Sequence, residues 1–240
     1  MRAERRAERT PSAPPDDSAI LDVRILACAG ARLVAVTHAP QDALAQLLIL
    51  PPWGEEENRS RAMLATLARR LVAHRIATTL LNLSGTGESW PASPPRTPRQ
   101  WADELAEAAN RLRDTGRPRR PLALLACRQM AAWCAGHVLA MLPSHSYAPI
   151  LLWDPPEFSH RKALQQAAAT PEPVWAQARC RSRRRDLVIL RSPRQAGRIW
   201  TSREGRLDGR LLDWACPTIV SHLLPDQPGK PPSPARRRQP

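Results

Sequence analysis

The part of this chain that most constrains its fold is a short apolar run that passes almost directly into a run of small residues, over positions 122–142. Residues 122–127 (LALLAC) are typical of a buried strand, and residues 131–142 (AAWCAGHVLAML) are typical of a helix. Because so few residues separate the two, the chain has to turn sharply around Arg128. A buried strand that runs at once into a helix is the repeating unit of an α/β sheet.

The rest of the sequence continues this alternation. Residues 20–28 and 32–38 alternate apolar and polar side chains around a turn at 29–30, which predicts an antiparallel strand pair. Further strands are predicted at 44–50, 76–83, 149–153, 187–191 and 218–222, and further helices at 58–74 and 101–113. We therefore expect an α/β fold with a mostly parallel sheet, helices on both faces and an antiparallel N-terminal strand pair.

The two ends of the chain differ from its middle. Residues 1–18 are charged and then rich in proline, and residues 225–240 (PDQPGKPPSPARRRQP) have the same character. Segments with so little apolar surface to bury are predicted to be disordered, which leaves one domain at 19–224. No apolar run reaches the ~18 residues of a membrane span, and the N-terminus lacks the apolar core of a secretory signal. We expect a cytoplasmic protein without an integral membrane segment.

The net charge of +14 is concentrated in the C-terminal third. Positions 179–206 contain ten arginines against only Asp186 and Glu204. Such a segment can attract nucleic acid or another anion. The plainer interpretation is a set of solvated loop arginines, and we favour it because no nucleic-acid-binding motif and no aromatic stacking platform accompanies the charge.

The five cysteines are odd in number and form no C-x-x-C pair. Their spacing predicts neither a disulfide framework nor a zinc site, and buried thiols are the expectation. No metal or cofactor is predicted.

The turn around Arg128 corresponds in position to the nucleophile elbow of α/β-hydrolases, a strained strand-to-helix turn written G-x-S-x-G. The five positions here are Ala126, Cys127, Arg128, Gln129 and Met130. An always-protonated guanidinium has no lone pair with which to attack an acyl group, so Arg128 cannot replace the nucleophile. Without the two glycines, the turn itself is expected to be disturbed.

Three loops extend this likeness. Residues 51–61 (PPWGEEENRSR) follow the third predicted strand, residues 82–89 (NLSGTGES) follow the next, and residues 151–155 (LLWDP) follow the elbow helix. Together with the elbow they resemble the exosortase A system-associated hydrolase family of the second type, whose members show P-P-F-A-E-E-x-N-K-S-R-R and G-L-R-x-G. The matching positions are Pro51, Pro52, Trp53, Gly54, Glu55, Glu56, Asn58, Arg59, Ser60, Arg61, Cys127 and Arg128. Asn82 stands where the D-x-x-G-x-G-x-S loop of α/β-hydrolases has Asp. The resemblance implies an α/β-hydrolase fold and a role in exopolysaccharide and protein-sorting systems.

An acid and a base would have to follow the elbow in chain order. By order alone, Asp154, Glu204 or Asp208 are candidates for the acid, and His222 after the last predicted strand is the candidate for the base. The plainer interpretation of His222 is a surface histidine next to a tail.

Other potentially reactive side chains have structural explanations of their own. Cys127 is expected to be a core thiol because it lies one residue before the apex, and His137 a core histidine. Ser84 and Ser89 are expected to hydrogen-bond within their turn.

The run from Glu55 to Asn58 permits two interpretations. Acidic residues at a helix start stabilise its dipole, which accounts for one or two of them. Alternatively, a carboxylate of this run faces Arg128 across a former active-site pocket, since a buried guanidinium requires a partner. The second interpretation groups Trp53, Glu55, Glu56, Asn58 and Arg128 around one pocket.

Three functions remain compatible with the sequence. The chain is a non-catalytic or divergent α/β-hydrolase homologue that binds a small molecule or a protein of an exopolysaccharide system, or it is an active hydrolase of a small ester or acyl substrate with an unrecognised nucleophile. The third alternative is binding of an anion or nucleic acid through the Arg-rich third.

Overall fold

The computed structural model describes residues 19–91, 97–113, 122–134, 149–155, 187–193, 200 and 208–225. Within these residues one sheet contains the strands β1 (Ile20–Cys28), β2 (Ala31–Ala39), β3 (Ala45–Leu50), β4 (Ile76–Leu81), β5 (Leu122–Cys127), β6 (Ile150–Trp153) and β7 (Leu187–Leu190). Their order is β1-β2-β4-β3-β5-β6-β7. β2 runs antiparallel to both of its neighbours, and the other pairings are parallel.

Four helices accompany the sheet in the part of the chain that the structure describes: α1 (Glu55–Val72), α2 (Pro98–Arg113), α3 (Gln129–Trp133) and α4 (Gly209–Leu223). α1 and α2 begin three residues before their predicted starts. In both cases the residues added suit a first turn, with acidic side chains in α1 and a proline in α2.

The sheet has a hydrophobic layer on each face. In β5, alternate side chains point to opposite faces. Leu124 and Ala126 join a buried cluster that contains residues of α2 and α3, whereas Leu125 and Cys127 join a cluster with residues of α1 and α4. The expected fold, a mostly parallel sheet between helices with an antiparallel strand pair at its N-terminal end, is confirmed.

The prediction of a strand at residues 218–222 is wrong, because these residues lie inside α4. Asp208 caps the start of α4 by accepting hydrogen bonds from the backbone N–H groups of Arg210 (3.0 Å) and Leu211 (3.2 Å). The helix then buries a stripe at helical spacing, made of Leu211, Leu212, Ala215, Cys216 and Ile219. The helix continues past Pro217, which lies inside it next to this buried stripe.

Several expectations fall on residues that the structure does not describe. These are the tails at 1–18 and 226–240, the elbow helix beyond residue 134 with His137, Cys180, Glu204, and most of the Arg-rich segment. None of the helices in the described ranges combines the length and the apolar character that crossing a membrane would require.

Candidate functional site

Arg128 lies at a sharp turn between β5 and α3, as the sequence predicted. Its backbone has φ 56° and ψ −122°, a conformation that costs a non-glycine residue about 1–3 kcal/mol. The turn is supported on both sides: the N–H of Arg128 donates to the carbonyl of Trp153 in β6 (2.8 Å), and its carbonyl accepts from the N–H of Ala132 in α3 (3.2 Å). The chain therefore keeps the elbow geometry.

The expectation that losing the two elbow glycines disturbs the turn is wrong. Ala126 and Met130 are fully buried in the hydrophobic layer formed with α2 and α3. Their side chains pack between the sheet and the helices, and Arg128 still adopts the positive φ of the turn.

The guanidinium of Arg128 is held by a carboxylate from α1. Its Nε donates to Oε2 of Glu56 (3.1 Å) and its Nη2 donates to Oε1 of the same residue (3.3 Å), so the pair is bidentate. Nη1 donates to the backbone carbonyl of Asp154 (3.1 Å), and Cζ lies 6.0 Å from the ring centroid of Trp200. The two charged side chains are only 19% and 15% exposed. The prediction that one of the three glutamates reaches Arg128 is confirmed for Glu56.

The three neighbouring carboxylates have three different partners. Glu55 is 84% exposed and pairs with Arg59 one turn further along α1. Glu56 pairs with Arg128, and Glu57 is buried against the loop after β4. The two interpretations of this acidic run therefore both hold, each for different residues: Glu55 is a first-turn acid on the surface, and Glu56 is the partner of the elbow arginine.

Glu57 fixes the loop that follows β4. Its Oε1 accepts from Nδ2 of Asn82 (2.7 Å), and its Oε2 accepts from the backbone N–H of Gly87 (3.1 Å). Burial raises the pKa of this carboxyl above its usual range, against the opposing effect of these donors and of Arg61. Gly87 has φ 49°, and a Cβ at this position would lie 1.5 Å from Nδ2 of Asn82. Sequence reasoning missed this contact, although Asn82 at a usual Asp position was its visible sign.

A second buried carboxylate holds the same loop from the other side. Glu104 of α2 is fully buried, and its carboxylate accepts from the hydroxyl (2.6 Å) and the backbone N–H (3.0 Å) of Ser84. Ser89 donates to the carbonyl of Asn82 (2.6 Å) and accepts from the N–H of Val34 in β2 (2.8 Å). Both loop serines are thus engaged in structural hydrogen bonds, with partners outside the turn as well as within it.

Cys127 is a core thiol, as expected. It is fully buried on the α1 and α4 side of the sheet, and burial raises the pKa of its thiol strongly. A thiol that stays protonated and out of contact with solvent is a poor nucleophile. Cys28, Cys134 and Cys216 are also buried thiols.

The candidate acids Asp154 and Asp208 form structural hydrogen bonds, after β6 and at the start of α4 respectively. Asp154 is 9% exposed and accepts from the N–H of Ser192 (2.8 Å), from the hydroxyl of Ser192 and from Nε1 of Trp200 (3.0 Å). Asp208 caps α4. His222 is exposed in the last turn of α4, which corrects its predicted place after a strand. Their roles as acid and base stay predictions.

The remaining members of the predicted pocket lie along the start of α1. Asn58 is exposed, and Trp53 packs against Trp101 with ring centroids 5.3 Å apart. Trp101 in turn meets Trp133 of the elbow helix at 5.5 Å. The structure brings Glu56 to Arg128, and the grouping of Trp53, Glu55 and Asn58 around one pocket stays a prediction.

No protein-family model matches this sequence, and neither does any curated protein. Similar solved structures include the N-formylmaleamic acid deformylase of Pseudomonas putida, at 17% identity and a TM-score of 0.45 over 56% of this chain and 47% of that chain. A hypothetical protein of Pseudomonas aeruginosa is similar at 14% identity and a TM-score of 0.49, over 74% and 56%. The haloalkane dehalogenase of Bradyrhizobium elkani is similar at 15% identity and a TM-score of 0.42, over 56% and 42%. The chain spans about half the length of these structures.

Proposed function

We propose that this chain is a non-catalytic protein with an α/β-hydrolase-like fold, which acts as an accessory component of an exopolysaccharide and protein-sorting system. The observation that carries the proposal is Arg128 at the apex of the elbow, with its guanidinium bound by Glu56. Acyl transfer by this fold requires a Ser, Cys or Asp nucleophile at the apex, and a paired guanidinium cannot supply an electron pair.

The surrounding hydroxyl and thiol groups support the absence of catalysis. In the described part of the chain, Ser84 and Ser89 are tied to Glu104, Asn82 and Val34, and Cys127 is a fully buried thiol. None of them has the exposed position and adjacent base that an activated nucleophile needs. A paired arginine and glutamate at the apex suit a fixed architecture or a binding role better than turnover.

The accessory role is supported by the loop sequences. The segment 51–61 and the Arg-bearing elbow resemble the exosortase A system-associated hydrolases of the second type. The partner we propose is a small molecule or another protein of such a system.

We expect the protein to show no ordinary esterase activity. Hydrolysis of p-nitrophenyl esters by the purified protein should equal that of a heat-denatured sample, and Arg128→Ser should not create efficient turnover. The substitution supplies a hydroxyl but no histidine base for it, and it removes the guanidinium that balances the charge of Glu56. Release of p-nitrophenol is the measurement, with an active serine esterase as the positive control. Wild-type activity that a serine- or thiol-directed reagent abolishes would instead favour a hydrolase with an unrecognised nucleophile.

The accessory role predicts a phenotype that does not depend on the ester assay. Deleting the coding sequence in its native host should reduce exopolysaccharide output, and wild-type protein supplied in trans should restore it. The measurement is polysaccharide yield per cell mass. Unchanged yield in the deletion strain would contradict the accessory role while leaving the lack of esterase activity untouched.

A further inference from the structure

The strand β1 forms one edge of the sheet and is unusually open. It pairs with β2 along its whole length, from Ile20 opposite Ala39 to Cys28 opposite Ala31, without a bulge. Its other side has no strand next to it in the described part of the chain. Proteins usually protect such an edge with charged side chains, proline, a bulge or a short strand. β1 has nine residues, no proline and no bulge, and its two charged side chains, Asp22 and Arg24, have opposite signs.

One face of β1 is also apolar and exposed. Leu21, Val23 and Ile25 alternate along the strand and are 63%, 62% and 70% exposed. On the neighbouring strand, Val36 and Val34 lie opposite Val23 and Ile25, and both are half-buried. A contiguous apolar surface of this kind next to an unpaired strand edge is typical of a protein interaction site.

The sequence of this edge is complementary to itself. Residues 19–27 read AILDVRILA, and we consider a second copy that runs antiparallel with Val23 opposite Val23. Asp22 of each copy then lies opposite Arg24 of the other, and Leu21 lies opposite Ile25. The outer pairs match in the same way, with Ile20 opposite Leu26 and Ala19 opposite Ala27. Every apolar side chain meets an apolar one and every charge meets its opposite.

The charges also select this register over its neighbours. A shift by two residues in one direction places Asp22 opposite Asp22, and a shift in the other direction places Arg24 opposite Arg24. Directly opposed like charges destabilise a strand pair, and a shift by a single residue mixes the apolar and polar faces. The matched register is therefore the only one of these that satisfies both the charges and the faces.

We propose that the protein forms a homodimer through antiparallel pairing of β1 with β1 of a second copy, centred on Val23. The interface is isologous, as expected of a two-fold dimer, and it joins the two sheets into one. Within one copy, Asp22 and Arg24 already form an ion pair at 2.5 Å, so pairing builds an alternating set of four charges on one face of the joined sheet. This proposal does not depend on the proposed function.

The decisive experiment reverses these charges and measures mass by sedimentation. The wild-type protein should sediment as a dimer of the 26.7 kDa chain. Asp22→Arg and Arg24→Asp should each raise the dimer dissociation constant about tenfold or more, because each places like charges opposite one another twice. An equimolar mixture of the two variants should form a heterodimer, and the double variant D22R/R24D should restore the homodimer. Arg99→Asp on the exposed side of α2 is the control for Arg24→Asp, with the same change of charge, and Asp103→Arg on the same helix is the control for Asp22→Arg; both should leave the dimer intact.

Cross-linking provides an independent measurement. The Cys180→Ser background removes the one cysteine outside the described residues, and the other four are buried. In this background, Val23→Cys should form an intermolecular disulfide on mild oxidation, since opposed residues of an antiparallel pair have Cα atoms about 4.5–5.5 Å apart. Asp103→Cys on α2 is the control and should stay monomeric on a non-reducing gel. A wild-type protein that remains monomeric at high micromolar concentration would overturn the proposal. So would a dimer that both single charge reversals leave unchanged, since the interface would then lie elsewhere.

Discussion

Glu56→Gln is expected to lower the free energy of unfolding by about 2–4 kcal/mol, because it leaves the guanidinium of Arg128 without its counter-charge in a largely buried position. The value lies somewhat below that of a fully buried pair because the two side chains are 19% and 15% exposed. Arg128→Met should be costly for the converse reason, since the carboxylate of Glu56 is then left unpaired. Urea unfolding at neutral pH measures both changes.

The double variant distinguishes pairing from two separate effects. If the bidentate contact couples the two residues, replacing both should cost less than the sum of the single changes by about 1–3 kcal/mol. Glu55→Gln is the matched control one residue away. Its side chain is 84% exposed and pairs with Arg59, so it should cost less than about 1 kcal/mol. Additive costs at positions 56 and 128 would mean that the observed contact contributes nothing to stability.

The part of the fold that the sequence predicted best is the part whose signals are local. β5 has the predicted bounds because six consecutive apolar residues are bounded by a charged turn, and the β1–β2 pair follows from alternation around a turn. Residues 218–222 contain similar β-branched and apolar side chains, yet they are helical. The difference comes from the Asp208 cap and from a buried stripe that packs against α1, and the sequence alone does not show which side of that segment faces a neighbour.

The candidate site shows the same division. A buried arginine at the elbow requires an acidic partner, and the sequence offers Glu55, Glu56 and Glu57 for it. It could not say which, because successive helical residues point about 100° apart and only the orientation of α1 decides which of them faces Arg128. The structure assigns Glu56 to Arg128 and Glu57 to Asn82.

The contact between Glu57 and Asn82 also has a sign in the sequence. In the pattern that this chain resembles, the position of Glu57 is unconstrained and the position of Asn82 holds an aspartate. This chain has a glutamate at position 57 and an asparagine at position 82. The exchange of aspartate for asparagine avoids the repulsion that two facing carboxylates would cause. An amide at position 82 can donate to Glu57, whereas a second carboxylate cannot.

Asn82→Asp should therefore destabilise the protein by about 2–4 kcal/mol at neutral pH. The change removes the donor that lies 2.7 Å from Oε1 of Glu57 and puts a like charge in its place. Asn82→Ala is the matched control, since it removes the donor without adding a charge, and it should cost less. The free energy of unfolding from urea titrations gives the difference between the two variants, which isolates the repulsion.

The dependence on pH tests the charge directly. Burial already raises the pKa of the Glu57 carboxyl group, so the folded protein binds the proton of this group more tightly than the unfolded chain does. Stability from such a group is fully present below the unfolded pKa and is lost as the pH rises through the folded one. Two facing carboxylates share a proton and extend that loss to higher pH. The deficit of Asn82→Asp relative to Asn82→Ala should therefore be smaller at about pH 5 than at about pH 8.

Glu57→Gln in the Asn82→Asp background should recover most of the lost stability. The amide placed at position 57 can donate to the new carboxylate, while its oxygen still accepts from the N–H of Gly87. The same substitution in the wild-type background lacks this benefit, because it replaces the hydrogen bond from Asn82 to a carboxylate by a weaker one to a neutral amide. Strong non-additivity, with the double variant more stable than Asn82→Asp alone, is the expected result. Equal and pH-independent costs for Asn82→Asp and Asn82→Ala would mean that water, not Glu57, is the main partner of position 82.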